Sequence, residues 1–278
     1  MEIIGGTVIA NEIKSSLKER NQAEGMQPCL AMVLVGDDRD SLVYVGLKQK
    51  ALEVSGGRGE LIQLPAAVSL DELIKVVEKL NANAAIDGIL VQLPLPGELN
   101  DHQEEVLAAI APAKDVDGFC PVNRGLLVGE HPGFISCAAL ACMEAVKRVA
   151  GTALNDKKVL LIGDSFDVIK PLALMFMHNK CQVTVIPDFD PEILKYFDII
   201  VIEKGAAQVL KGEYLKDGTV VIDAGFYWDI DHMCGNVDKD STQAVNGYLL
   251  PVPGGMGPLL IAKLMENVNL AARRGTHE

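Results

Sequence analysis

A chain of 278 residues, 49% hydrophobic and 23% charged, carries enough apolar content to bury the cores of two ordinary domains. Its formal charge of −13, with no offsetting Lys/Arg cluster, excludes nucleic acid as an expected partner and favours small-molecule chemistry. The start, Met1-Glu2-Ile3-Ile4-Gly5-Gly6, lacks a basic region followed by an apolar core, and no apolar stretch reaches the ~18 residues of a membrane helix; a cytoplasmic protein with no membrane partner is expected.

Along the chain, short β-branched runs alternate with longer amphipathic segments, the pattern of βαβ units and a parallel sheet. Strands are expected at Leu30–Val35, Gly88–Leu93, Lys158–Ile162, Gln182–Ile186, Ile199–Ile202 and Thr219–Ile222, with helices between them. The first stretch with chemical content is Ser41-Leu42-Val43-Tyr44-Val45-Gly46-Leu47-Lys48-Gln49-Lys50, in which Tyr44 and Lys48 lie one helical turn apart. Taken alone, it reads as a solvated lysine beside a core tyrosine. Next comes Asp87-Gly88-Ile89-Leu90-Val91-Gln92-Leu93-Pro94-Leu95-Pro96, a buried strand stopped by prolines, so Gln92 falls at the C-terminal edge where open α/β sheets bind ligands. A strand-end glutamine also needs no function. The third stretch, Lys114-Asp115-Val116-Asp117-Gly118-Phe119-Cys120-Pro121-Val122-Asn123, has the acidic and glycine content of a turn.

In the second half, the strand Lys158–Ile162 runs into Gly163-Asp164-Ser165 and then a helix beginning near Pro171. Glycine at a strand-to-helix turn suits a phosphate site, because backbone N–H groups and the helix dipole face the ligand, although a plain tight turn looks the same. Two Pro/Gly-rich stretches, 115–133 and Pro251-Val252-Pro253-Gly254-Gly255-Met256-Gly257-Pro258, read as connections between domains. A last helix is expected from Leu259 to about Ala272, packing back on the first domain. The six cysteines are dispersed without close CxxC pairs; they read as reduced, mostly buried thiols, and no metal site is expected.

In order, spacing and wording, these segments resemble the methylenetetrahydrofolate dehydrogenase/methenyltetrahydrofolate cyclohydrolase (FolD) family, whose substrate helix reads S-x-x-Y-V-x-x-K-x-K, strand D-G-I-L-V-Q-L-P-L-P, junction K-D-V-D-G and late loop P-V-P-G-G-x-G-P. The resemblance implies an α/β protein of two domains: a folate-binding catalytic domain at 1–125 plus 255–278, and a Rossmann-like doubly wound domain at 126–254, with a cleft between them and a homodimer formed through the second. By the same resemblance Lys48 moves a proton as water attacks the methenyl carbon, and Gln92 orients it. Tyr44 stacks on the aminobenzoyl ring, Asp117 pairs with the pterin N–H donors, and Pro253, Gly254 and Gly255 contact substrate. Gly163, Asp164, Ser165 and Asp188 then face a nicotinamide cofactor, NAD or NADP.

The cofactor side departs from the family. Where G-R-S-x-x-V-G-x-P is expected, the chain has Gly163-Asp164-Ser165-Phe166-Asp167-Val168-Ile169-Lys170-Pro171, losing the arginine that pairs with the NADP 2′-phosphate and gaining Ile169 for glycine. The next strand ends Ile186-Pro187-Asp188 in place of C-H-S, P-C-T-P-x-G has become Ser136-Cys137-Ala138-Ala139-Leu140-Ala141, P-M-T has become Pro258-Leu259-Leu260, and Cys120 replaces the junction's histidine. Asp164 and Asp188 disfavour NADP, whereas an acid at a strand end suits the ribose hydroxyls of NAD. Three readings follow: a bifunctional enzyme, a cyclohydrolase with a vestigial nucleotide domain (slightly favoured), and a silent folate-binding or assembly subunit, against which the retained Lys48 and Gln92 argue.

Overall fold

The computed structural model describes residues 1–129, 132–229 and 232–275. Its first half runs β1 (Glu2–Ile3), α1 (Gly6–Glu24), β2 (Cys29–Val35), α2 (Arg39–Val54), β3 (Arg58–Leu64), α3 (Leu70–Ala82), β4 (Gly88–Val91), α4 (Gln103–Ala108), α5 (Pro121–Leu126) and α6 (Cys137–Ala150). There follow β5 (Lys158–Ile162), α7 (Ile169–His178), β6 (Gln182–Ile186), β7 (Ile199–Ile202) and β8 (Thr219–Asp223). A small hairpin, β9 (Tyr227–Asp229) and β10 (His232–Cys234), precedes β11 (Gly247–Leu250) and the long α8 (Met256–Gly275). By internal contacts the chain divides into two compact units, 11–137 with 261–278, and 1–10 with 138–260.

The first unit holds a three-stranded parallel sheet in the order β3-β2-β4. All seven residues of the central β2, Cys-Leu-Ala-Met-Val-Leu-Val, are buried, as a strand covered on both faces requires. The edge strand β3, Arg-Gly-Glu-Leu-Ile-Gln-Leu, has no fully buried residue, and its charged and amide side chains hid it from a search for apolar runs. Beyond β4, Ile89 bridges to Asp115, which draws the 115–133 stretch onto the sheet.

That stretch is therefore part of the first unit and not the connector expected from its Pro and Gly content; its residues 130 and 131 lie outside the described residues. The physical reason is Asp115, which is 0% exposed. Its carboxylate accepts from the Phe119 and Cys120 N–H groups at 3.0 and 2.9 Å and from Asn123 Nδ2 at 2.8 Å. Gly118 completes the turn with φ of +70°, and a Cβ there would lie 2.6 Å from the Ile135 carbonyl carbon, so only glycine fits. On α8, Asn267 Nδ2 donates to the Val116 and Ile135 carbonyls at 2.7 and 3.1 Å, which fastens the last helix to this turn.

The second unit is built on a six-stranded parallel sheet, β1-β11-β8-β7-β5-β6. Strands β7 and β8 are buried throughout, and β5 is buried beyond its first residue. From β5 the chain steps outward to β6 and then returns to the other side as β7, so the C-terminal ends of β5 and β7 form the topological switch point where such sheets bind ligands. The first ten residues belong here and not with the catalytic domain, because Glu2 and Ile3 pair with Tyr248 and Leu249 of β11. At the other end the division falls after Leu260, so Met256–Leu260 also joins the second unit.

Replacing Asp115 with alanine removes the acceptor of the Phe119 and Cys120 N–H groups and one of the two acceptors of Asn123 Nδ2, a loss of about 3 kcal/mol. Thermal unfolding followed by circular dichroism is expected to show a midpoint several degrees lower than that of the parent chain.

Candidate functional site

Asp38 caps α2 by accepting from Ser41 N at 2.9 Å, which fixes the register of the helix. The buried positions are then Ser41, Val45, Lys48, Ala51 and Leu52, a stripe at helical spacing with a lysine inside it. Lys48 is 7% exposed while Tyr44, one turn earlier, is 39% exposed. The segment read in isolation suggests the reverse, a solvated lysine and a core tyrosine. The stripe itself was the available signal, since a lysine flanked by Val45 and Leu52 at intervals of three and four must face the core.

Lys48 Nζ donates to Gln92 Oε1 at 2.9 Å. Gln92 follows β4 directly and continues its ladder, its N–H donating to the Val33 carbonyl at 2.8 Å. Its side-chain Nε2 donates to the Leu93 carbonyl at 2.7 Å, so the amide oxygen is the end left facing the lysine. Burial depresses the Lys48 pKa below its ordinary 10.5, because a charged ammonium loses hydration there. Asp117 and, more weakly, Cys137 act against that shift by favouring the charged form. Lys48, Gln92 and Asp117, recognised from three separate motifs, are thus one cluster in the first unit.

Cys137 belongs to this cluster too and was not expected there. Its thiol lies 3.4 Å from the Val116 carbonyl and hydrogen-bonds the Asp117 carboxylate, and burial beside that charge pushes its pKa well above the ordinary thiol value. Asn267 Nδ2 reaches its sulfur at 3.5 Å. Neither residue stands in a motif that spacing alone identifies. All six thiols are free, and Cys29, Cys120, Cys137, Cys142 and Cys234 are buried.

The late loop lies in the second unit, where Thr7 N and Oγ1 each lie 3.2 Å from the Gly254 carbonyl oxygen. Pro253 and Gly254 are exposed and Gly255 is buried. The predicted cofactor residues follow the strands at the switch point. Asp164 is exposed and meets Lys204 at 3.2 Å; Asp188 is exposed after the edge strand β6. Ser165 Oγ accepts from Val168 N and Ile169 N, both at 3.1 Å, which occupies the first donors of α7.

Glu203, at the end of β7, takes two backbone donors and one hydroxyl of that loop. Its Oε1 accepts from Asp164 N at 3.1 Å and Ser165 N at 2.9 Å, and its Oε2 accepts from the Ser165 hydroxyl at 2.6 Å. The loop as it stands does not fit a dinucleotide phosphate, because the amides that would bind it already hold a carboxylate. Sequence reading missed Glu203, since nothing marks a glutamate after a buried strand as facing a loop about 40 residues earlier.

A buried amine held by an amide, with a carboxylate's charge nearby, in one α/β unit, and a dinucleotide-type parallel sheet in the other, define the class as a two-unit enzyme of the nucleotide-binding α/β kind. Residues 4–117 match the family model for the tetrahydrofolate dehydrogenase/cyclohydrolase catalytic domain, and residues 136–276 match that of its NAD(P)-binding domain. The chain is 52% identical over 276 residues to bifunctional protein FolD 1 of Syntrophomonas wolfei, covering 99% of each. Among solved structures it resembles the bifunctional FolD enzyme of Campylobacter jejuni, with a TM-score of 0.92, 35% identity and 99% of each chain covered. The methylenetetrahydrofolate dehydrogenase-cyclohydrolase of Trypanosoma brucei, solved with NADP cofactor and inhibitor, gives a TM-score of 0.91 at 30% identity, with 99% of this chain and 98% of that one covered. The chain belongs to the tetrahydrofolate dehydrogenase/cyclohydrolase family and is an enzyme of folate one-carbon chemistry. The match of its second unit corrects the preference for a hydrolase with a vestigial nucleotide domain, because it supports the dehydrogenase step alongside the cyclohydrolase step.

Lysine-selective NMR titration is expected to place the Lys48 midpoint below 10.5, and lower again in Asp117→Asn, where the charge that favours the ammonium is gone.

Proposed function

We propose that the chain interconverts 5,10-methylene-, 5,10-methenyl- and 10-formyltetrahydrofolate, with the hydrolysis of the methenyl form carried by Lys48. The observation that supports this reading best is the buried Lys48 amine donating to Gln92 Oε1 at 2.9 Å. Burial disfavours the ammonium, and a cationic methenyl substrate beside it adds to that, so the neutral amine is more accessible than that of a solvated lysine. Water adds to the carbon between the two folate nitrogens while the amine takes one of its protons, giving a neutral carbinolamine. The lysine returns that proton to N5 as the C–N5 bond breaks, and the carbinol hydroxyl loses its proton as the formyl carbonyl forms on N10. The net reaction consumes one water and releases one proton.

Gln92 is a positioning residue, holding Nζ in one place through its fixed amide. Asp117 accepts the adjacent N–H donors of the pterin, a planar two-point match for a carboxylate, and keeps enough negative charge near Lys48 for proton return. Tyr44, exposed on α2 one turn from Lys48, offers its ring to the aminobenzoyl group. Pro253, Gly254 and Gly255 are assigned to the substrate side on the family motif alone.

The dehydrogenase step is supported by the NAD(P)-binding domain match and by the bifunctional names of the relatives. For its cofactor we favour NAD over NADP, because Asp164 and Asp188 are exposed carboxylates where a 2′-phosphate would approach. A cytoplasmic homodimer is proposed from the family resemblance; no helix of the described residues is long and apolar enough to cross a membrane.

Lys48→Met is expected to lower the rate of methenyltetrahydrofolate hydrolysis by about 100-fold or more while the circular dichroism spectrum is unchanged; a variant of parental activity would remove Lys48 from the mechanism. With methylenetetrahydrofolate supplied separately, nucleotide reduction followed at 340 nm is expected to be faster with NAD than with NADP. Faster reduction of NADP would overturn the role given to Asp164 and Asp188.

A further inference from the structure

The switch point of the second unit is filled from within. Four backbone donors face it, at Asp164, Ser165, Val168 and Ile169, and every one is engaged: the first two by Glu203 Oε1, the last two by Ser165 Oγ, whose own hydroxyl hydrogen goes to Glu203 Oε2. This is the donor set that an open α/β sheet presents to a nucleotide phosphate. Gly163 records the same fit by shape. Its φ is +139°, and a Cβ there would lie 2.3 Å from Glu203 Oε1 and 2.4 Å from its Cγ, so in this chain the close approach that demands glycine is made by the glutamate.

We propose that Glu203 is a built-in competitor for the dinucleotide phosphate, so that a nucleotide binds this chain only by displacing a carboxylate already seated on the loop amides. The competition is between two anions for one set of N–H groups, and it is intramolecular, so the glutamate has the advantage of holding its place without loss of translational freedom. The surroundings reinforce it. Asp167, half-buried beside Ser165, and Asp164, exposed and paired with Lys204, place two more carboxylates around the loop. An incoming phosphate therefore meets negative charge before it meets donors. Expelling Glu203 leaves the Ser165 hydroxyl and the amides of 164 and 165 free, which is the arrangement a phosphate needs.

The dehydrogenase step of this chain is by this inference set by how readily the β7 glutamate leaves its loop, separately from the folate chemistry in the other unit. The closing experiment titrates the intact chain, Glu203→Ala and Glu203→Gln with NADH and with NADPH, following cofactor fluorescence, with the thermal midpoint of each variant measured beside it. Loss of the competing charge-assisted bonds is expected to tighten NADH binding about ten- to hundredfold in Glu203→Ala, and by a smaller factor in Glu203→Gln, which keeps the shape but not the charge. Unchanged affinity in both folded variants would overturn the proposal. So would weaker binding, which would make Glu203 a ligand of the nucleotide. Methenyltetrahydrofolate hydrolysis, assayed on the same samples, reads the Lys48 assignment independently, so failure of one claim leaves the other standing.

Discussion

The catalytic half of this protein depends on the cost of keeping one amine out of water. Lys48 sits in the buried stripe of α2 among Val45, Ala51 and Leu52, and a group so placed must either be paired or give up its proton. Gln92 supplies a neutral acceptor, which holds the nitrogen in place without stabilising the ammonium as a full carboxylate contact would. Asp117 supplies charge alongside. The balance is the one that the proton transfer proposed for Lys48 requires.

Much of the first unit serves that balance. The fully buried β2 sets the plane of the sheet, β4 pairs with it, and the residue after β4 delivers Gln92. Asp115, bridged to Ile89 and gathering three donors, turns the chain so that Asp117 follows two residues later, and Asn267 of α8 fastens the same turn through Val116. Each fully buried Leu, Ile, Val or Met in this core contributes roughly 1.5–3 kcal/mol, so the several apolar residues of β2 and β4 outweigh the desolvation of one amine.

The second unit meets the same physical demand with the opposite outcome. Its loop amides and helix N-terminus are donors that must be satisfied, and the sheet provides an acceptor of its own in Glu203. A fold whose topology prepares a phosphate site is thereby complete without one. The acidic substitutions visible at Asp164 and Asp188 and the glutamate at the end of β7 point in one electrostatic direction, although they come from three different strand ends.

The sequence by itself determined the parallel α/β architecture, because β-branched runs such as Val-Leu-Leu-Ile and Ile-Ile-Val-Ile bury on both faces wherever they occur. It also determined the family, through motifs of fixed internal spacing in which Tyr44, Lys48, Gln92 and Asp117 stand. It did not reveal the polar edge strand β3 or the four-residue β11, whose place is set by pairing and not by composition. Only the tertiary structure decided that the first ten residues join the second unit, that the Pro/Gly-rich junction is folded into the first, and that Cys137 and Asn267 adjoin the lysine cluster. It alone decided that Glu203 lies on the Gly163 loop. The reason is common to all of these: each is a pairing of backbone or side-chain donors with acceptors far away in the chain, and hydrogen-bond satisfaction of that kind leaves no periodic mark on either partner.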